Sequence, residues 1–127
     1  MSKPNELPPT PGKFSRIRSI ELGDTTLLFI SGACATPNPP PDTGEQTELV
    51  FAKMANLLAE HGASLSDIVK LTVFLADIRD YDKYNAVRNR VFASVSSPPA
   101  SSALEAKLVS AQFLIEIEGI AVTTRKK

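Results

Sequence analysis

The sequence predicts an α/β domain of five strands and two helices in the order β-β-α-β-α-β-β. Three observations carry this. Two strand-like segments near the start are joined by Gly23-Asp24. Two stretches repeat their apolar residues with the 3.6 period of a helix and are separated by the β-branched, aromatic run "IVKLTVFL". Two further alternating segments follow Pro98-Pro99.

The first thirteen residues, "MSKPNELPPTPGK", hold four of the ten prolines, each fixing φ and removing a backbone donor. Residues 1–13 are therefore expected to form a flexible Pro-rich arm, and residues 14–127 a single domain. "SRIRSIEL" alternates polar and apolar, Gly23-Asp24 turns, and "TLLFISG" returns, which makes a hairpin. The prolines of "ACATPNPPPDTGE" exclude regular structure, and Thr43 or Glu45 can open the next element. From about Gln46 to His61, Val50, Met54, Leu57 and Leu58 form an amphipathic stripe, closed by Gly62. "SLSD" leads into the buried strand "IVKLTVFL". Asp80 can cap a second helix from Tyr81 to about Ala93, with Tyr84, Val87 and Val91 on one face. "SSALEAKL" and "FLIEIEGIAVTT" close the domain as strands.

Right-handed crossovers put both helices on one face of the sheet. Yet both faces of the strands are apolar: Val69, Leu71, Val73 and Leu75 point one way, Phe74 and Thr72 the other. Along the last strand Leu114, Ile120 and Val122 oppose Ile115, Ile117 and Ala121. With no third helix to cover the second face, other copies of the chain are expected to do so, in a closed homo-oligomer.

Composition narrows the chemistry. Fourteen basic against fourteen acidic residues leave no net charge, so neither nucleic acid nor an acidic membrane is an expected partner. The lone cysteine, Cys34, cannot form an intramolecular disulfide, and no charged leader precedes an apolar stretch; a cytoplasmic location is expected. Apolar runs fall far short of the roughly 20 residues that span a bilayer. One histidine and one cysteine make a poor metal set, and no metal is expected. No nucleotide-binding glycine loop and no G-x-S-x-G elbow occurs, so no cofactor is expected. His61 suits a helix C-terminus, and Cys34 reads as a small buried thiol.

What remains is "IEIE". Glu116 and Glu118 alternate within an apolar strand and share one side of it, about 6 to 7 Å apart. A carboxylate in such surroundings needs a cation or donors, or else carries a proton, and in either state it can move protons for a substrate.

Several segments, in order, resemble the Rid family of reactive-intermediate deaminases, also called YjgF-like proteins. "LLFISG" is similar to its "LLFVSG", "PPASSALEA" to its "PPARSTVEV", and "IEIEGIAV" to its "VEIEAIAV". "LLAEHGASLSDIVKLTVFLADIRDYDKYNAV" is similar to its central helix-strand-helix segment. The resemblance covers about Gly12 to Val122. It implies a chorismate-mutase-like fold, two helices packed on one face of the sheet, and a homotrimer with clefts between subunits. It also implies cofactor-free hydrolysis of enamines or imines such as 2-aminoacrylate to a 2-keto acid and ammonia. In that mechanism an arginine grips the substrate carboxylate while a glutamate and backbone groups position water.

Carried over residue by residue, the resemblance makes Glu116 the catalytic glutamate and Ser31, Gly32 and Asn85 substrate-binding positions. Phe14, in "G-K-F-S", stands where the family has a tyrosine, and Ser101 where it has the arginine. A serine offers neither charge nor a fork of donors, and loss of such a contact costs about 2 to 5 kcal/mol in binding. The cleft is therefore expected to be neutral, suited to a larger or uncharged ligand. Arg16, Arg18, Arg88 and Lys107 are the cations that could replace the arginine. The reading is a deaminase- or hydrolase-like enzyme acting on an imine or enamine other than 2-aminoacrylate; the alternative is a non-catalytic trimer that binds a small molecule or partner.

Overall fold

In the computed structural model, which describes residues 9–124, the hairpin comes first: β1 (Ile17–Leu22) turns through Gly23-Asp24 into β2 (Thr25–Ala33). The helix α1 (Thr43–Ala59) starts earlier than its apolar stripe suggests, because the Asp42 side chain accepts from the Glu45 N–H at 2.9 Å and caps it. It ends as expected at Gly62, whose φ of +69° lets the Ala63 N–H fold back on the Leu58 carbonyl at 2.9 Å. β3 (Ile68–Leu75), α2 (Tyr81–Val91), β4 (Ala100–Glu105) and β5 (Ile115–Thr124) follow. Short helical turns at Leu65–Asp67 and Ile78–Asp80 introduce β3 and α2.

The five strands form one mixed sheet in the order β1-β2-β5-β3-β4, with β3 and β4 parallel and every other pair antiparallel. Both helices pack on one face. Val50, Phe51, Met54 and Leu58 of α1 and Tyr84 and Val87 of α2 meet Leu28, Leu71, Val73, Ile115 and Ile117 of the sheet, all buried. One strand assignment needs correction. Val69 does not join Leu71 and Val73 in the core: the β3–β5 register passes from Ile68↔Ala121 to Lys70↔Ile120, an extra residue that turns Val69 out to 48% exposure and buries Ile68 instead.

Among the described residues no helix covers the second face. Leu22, Phe29 and Leu104 lie on it 58%, 38% and 42% exposed, far more than apolar side chains in a covered layer. Residues 1–8, most of the expected arm, and the basic end at 125–127 lie outside the described residues. The part of the arm that is described makes a turn, in which the Thr10 hydroxyl donates to the Gly12 carbonyl at 2.8 Å. No helix among the described residues is long and apolar enough to cross a membrane.

Candidate functional site

The site begins with a fault in the sheet. Pairing of β1 with β2 ends at Ile17↔Ile30, so the last part of β2 presents an open edge. Its register with β5 passes from Ile30↔Gly119 to Ala33↔Ile117, which leaves Ser31 and Gly32 together opposite Glu118. This bulge turns Gly32 toward Glu116. A Cβ on Gly32 would lie 2.8 Å from the Glu116 carboxyl carbon, so only glycine leaves the carboxylate where it is. Ser31 fastens the chain that crosses this edge: its hydroxyl donates to the Ser15 carbonyl at 2.6 Å and its N–H to the Arg16 carbonyl at 2.9 Å.

Against the open edge lies a cavity of about 330 Å³. Phe14, Ser31, Gly32 and Glu116 line it together, joined by Cys34, Arg16 and Lys53. Apolar walls come from Leu57 of α1 and from Val109 and Phe113 of the β4–β5 connection. That connection is tied to α1 by buried Gln46, whose amide donates to the Pro40 and Gln112 carbonyls at 2.8 and 2.9 Å while its oxygen accepts from the Leu114 N–H at 2.9 Å.

The polar groups of the cavity are coupled. The Cys34 thiol donates to Glu116 Oε1 at 3.2 Å. Burial, then the hydrogen bond and the negative charge of Glu116, push the thiol's pKa up to about 12. Lys53 Nζ reaches over from α1 and donates to the Cys34 carbonyl and the Thr36 hydroxyl, each at 2.6 Å. Burial pulls the ammonium below the usual lysine range; the neighbouring Cys34 opposes this, and repulsion from Arg16 adds to it. Glu118 opens instead into a second hollow of about 540 Å³ on the bare sheet face, with Arg18 and Lys70. Neither glutamate forms an ion pair among the described residues.

Asn85 and Ser101 lie elsewhere. Ser101 is on β4, the edge strand separated from β2 by β5 and β3, in register with Leu71. Asn85 is on α2, where its side-chain oxygen accepts from Arg88. The Arg88 guanidinium stands 5.6 Å from the Tyr84 ring centre. The Tyr84 hydroxyl is buried without a hydrogen bond of ordinary geometry among the described residues. Burial raises its pKa, and the nearby Ser101 and Arg88 oppose the rise. One chain thus holds its expected site residues as two groups: Phe14, Ser31, Gly32 and Glu116 at the β2 edge, Asn85 and Ser101 at the β4 side.

Comparison with known proteins agrees with this arrangement of elements. The family model described as Endoribonuclease L-PSP matches residues 7–123. The chain belongs to this family, that of the YjgF-like, or Rid, proteins. A RutC family protein of Pyrococcus abyssi is 36% identical over 112 residues, 82% of this chain and 83% of the relative. The protein named Reactive Intermediate Deaminase A, chloroplastic, of Arabidopsis thaliana is 34% identical over 103 residues, 75% of this chain and 52% of the relative. Among solved structures, Escherichia coli TdcF with bound serine superposes with a TM-score of 0.78 at 27% identity, covering 92% of this chain and 93% of that one.

Within this Rid-family chain, two expectations change. The cavity that holds Glu116 is not neutral, because Arg16 and Lys53 both line it. Cys34 is not simply a small buried thiol; it is half-buried and bonded to the glutamate. Lys53 is marked in the sequence only by its spacing: it lies three residues after Val50 and four before Leu57, a lysine at helical spacing beside the apolar stripe.

Proposed function

We propose that this protein is a cofactor-independent, Rid-type deaminase that hydrolyses the imine or enamine form of a small molecule in the Glu116 cavity. The observation that carries this reading is the Glu116 carboxylate itself, held at the wall of a cavity of ligand size with one oxygen on the Cys34 thiol. A carboxylate so placed takes a proton from water as the water's oxygen attacks the carbon of the protonated imine. It then gives that proton to the carbinolamine nitrogen and takes up the hydroxyl proton as the C–N bond breaks, leaving a ketone and ammonia, which carries the last proton away. An enamine first takes up a proton at carbon to become the imine.

The active assembly in this reading is a homotrimer. The exposed apolar residues on the bare sheet face support it. So does the division of the site residues between two edges of one sheet, since the β2 edge of one copy can meet the β4 side of another only in an assembly. The even balance of fourteen basic and fourteen acidic residues gives no field that would gather a polynucleotide, which favours a small-molecule substrate.

The test is keto-acid release from imino acids generated in situ by an amino-acid oxidase. Glu116→Gln should lower the catalysed rate at least about 100-fold with the fold and assembly unchanged. If the variant matches the parent, the catalytic reading fails and a non-catalytic, ligand-binding trimer replaces it.

A further inference from the structure

The cavity's charges do not balance. Arg16 and Lys53 bring two positive charges to its wall and Glu116 brings one negative charge; the Cys34 thiol, with a pKa near 12, is neutral at physiological pH. Neither cation forms an ion pair among the described residues. Lys53 Nζ is held by two neutral oxygens, the Cys34 carbonyl and the Thr36 hydroxyl, which fix its direction and leave one of its three donors unassigned. Two like charges close enough to repel, one of them on a half-buried amine, disfavour one another. A single anion between them removes the repulsion and brings the cavity to neutrality.

We propose that Arg16 and Lys53 are the anion-holding residues of this cavity, gripping the carboxylate of the ligand while Glu116 faces its reacting carbon. The inference rests on the Glu116 cavity being the ligand site and adds which side chains set its specificity. It also accounts for Ser101: a chain with a guanidinium and an ammonium at the β2 edge does not need a cation at position 101. The two groups have different tasks. Arg16, with its planar fork of donors, suits a two-point contact with a carboxylate, whereas Lys53 is a point charge aimed by its two oxygen partners.

The experiment uses 2-oxobutyrate, a keto acid of the product class, and its methyl ester, which has the same carbonyl and no charge. Binding of each to the full-length protein is titrated by ligand-observed NMR. The parent should bind the acid at least about tenfold more tightly than the ester. Lys53→Met and Arg16→Gln should each weaken acid binding about tenfold or more and weaken ester binding much less, so that the preference for the acid is lost, while Lys53→Arg should restore most of the acid's affinity. Glu116→Gln should keep the preference for the acid, so a failure of catalysis and a failure of the grip are read separately. The proposal is overturned if the parent binds neither probe, or shows no preference for the acid. It is overturned equally if the preference survives both cation-removing variants, or if Arg88→Gln abolishes it while they do not.

Discussion

The Cys34 thiol donates to Glu116 Oε1 across 3.2 Å, and the carboxylate's charge helps hold the proton on sulfur. A thiol whose pKa is raised from 9.0 to about 12 holds about a thousandfold less thiolate at pH 8. Cys34 should therefore react with iodoacetamide at pH 8 several hundredfold more slowly than free cysteine. Glu116→Gln removes the negative charge that contributes to the shift and leaves burial, the largest cause, in place, so the variant should react faster than the parent but slower than free cysteine. Alkylation of the parent at the free-cysteine rate would contradict the pairing.

The same pair sets a dependence of stability on pH. The folded thiol titrates near 12 and the unfolded one near 9.0, so the folded state holds more protons between these values. Its contribution is complete below about pH 9 and is lost as the pH rises toward 12. The lowered pKa of Lys53 acts in the opposite direction in the upper part of this window, so the comparison is made against Cys34→Ala. Urea midpoints of the parent should fall more steeply than those of Cys34→Ala between pH 8 and pH 10.5.

Gly32→Ala tests the fit at the bulge. The added Cβ meets the Glu116 carboxylate, the end of a side chain that can swing away, so the displacement falls on the carboxylate rather than on the sheet. Turnover should fall at least tenfold, with a change in melting temperature of only a few degrees. Parental activity in Gly32→Ala would mean that the position of Glu116 does not matter to the reaction.

Much of this was legible in the sequence, because period and punctuation report on local structure. The alternation of "IEIEGIAV" set Glu116 and Glu118 together on the side of the strand opposite Ile115 and Ile117, and Gly62 marked the end of α1. The resemblance through "LLFISG" and "IEIE" brought Ser31, Gly32 and Glu116 to one place. What stayed hidden depends on contacts between segments distant in the chain. The bulge at Val69 is a mismatch between two strands and leaves no trace in either alone. Cys34 and Glu116 are 82 residues apart, and only the register of β2 on β5 makes them partners. The charge of the cavity is hidden from the sequence for the same reason: Arg16 and Lys53 come from the start of the fold and from α1, and no local pattern joins them.

Gln46 shows how a buried polar residue can hold a site it does not touch. Its amide joins α1 to the segment ending at Pro40 and to the turn at Gln112–Leu114, next to Phe113 in the cavity wall. Gln46→Leu leaves two carbonyls and one N–H without partners, at a cost of about 2 to 4 kcal/mol. In a domain of this size that is a fall of about 10 °C in Tm. Ligand affinity should drop with it, because the loosened turn carries the cavity wall. An unchanged Tm in a calorimetric scan would show that these bonds contribute nothing net.

The assembly can be tested at the bare sheet face. Phe29 and Leu22 stand on adjacent strands there, half-exposed or nearly so. In a trimer that covers this face, a carboxylate at either position would be desolvated without a partner. The parent should show by light scattering a mass near three chains, and Phe29→Asp should shift it toward one chain while retaining helical circular dichroism. The dissociated variant should also lose turnover, since Asn85 and Ser101 of one copy could no longer approach the Glu116 cavity of another. A parent mass of one chain, or full activity in a monomeric Phe29→Asp, would overturn the trimer and place the whole site within a single copy.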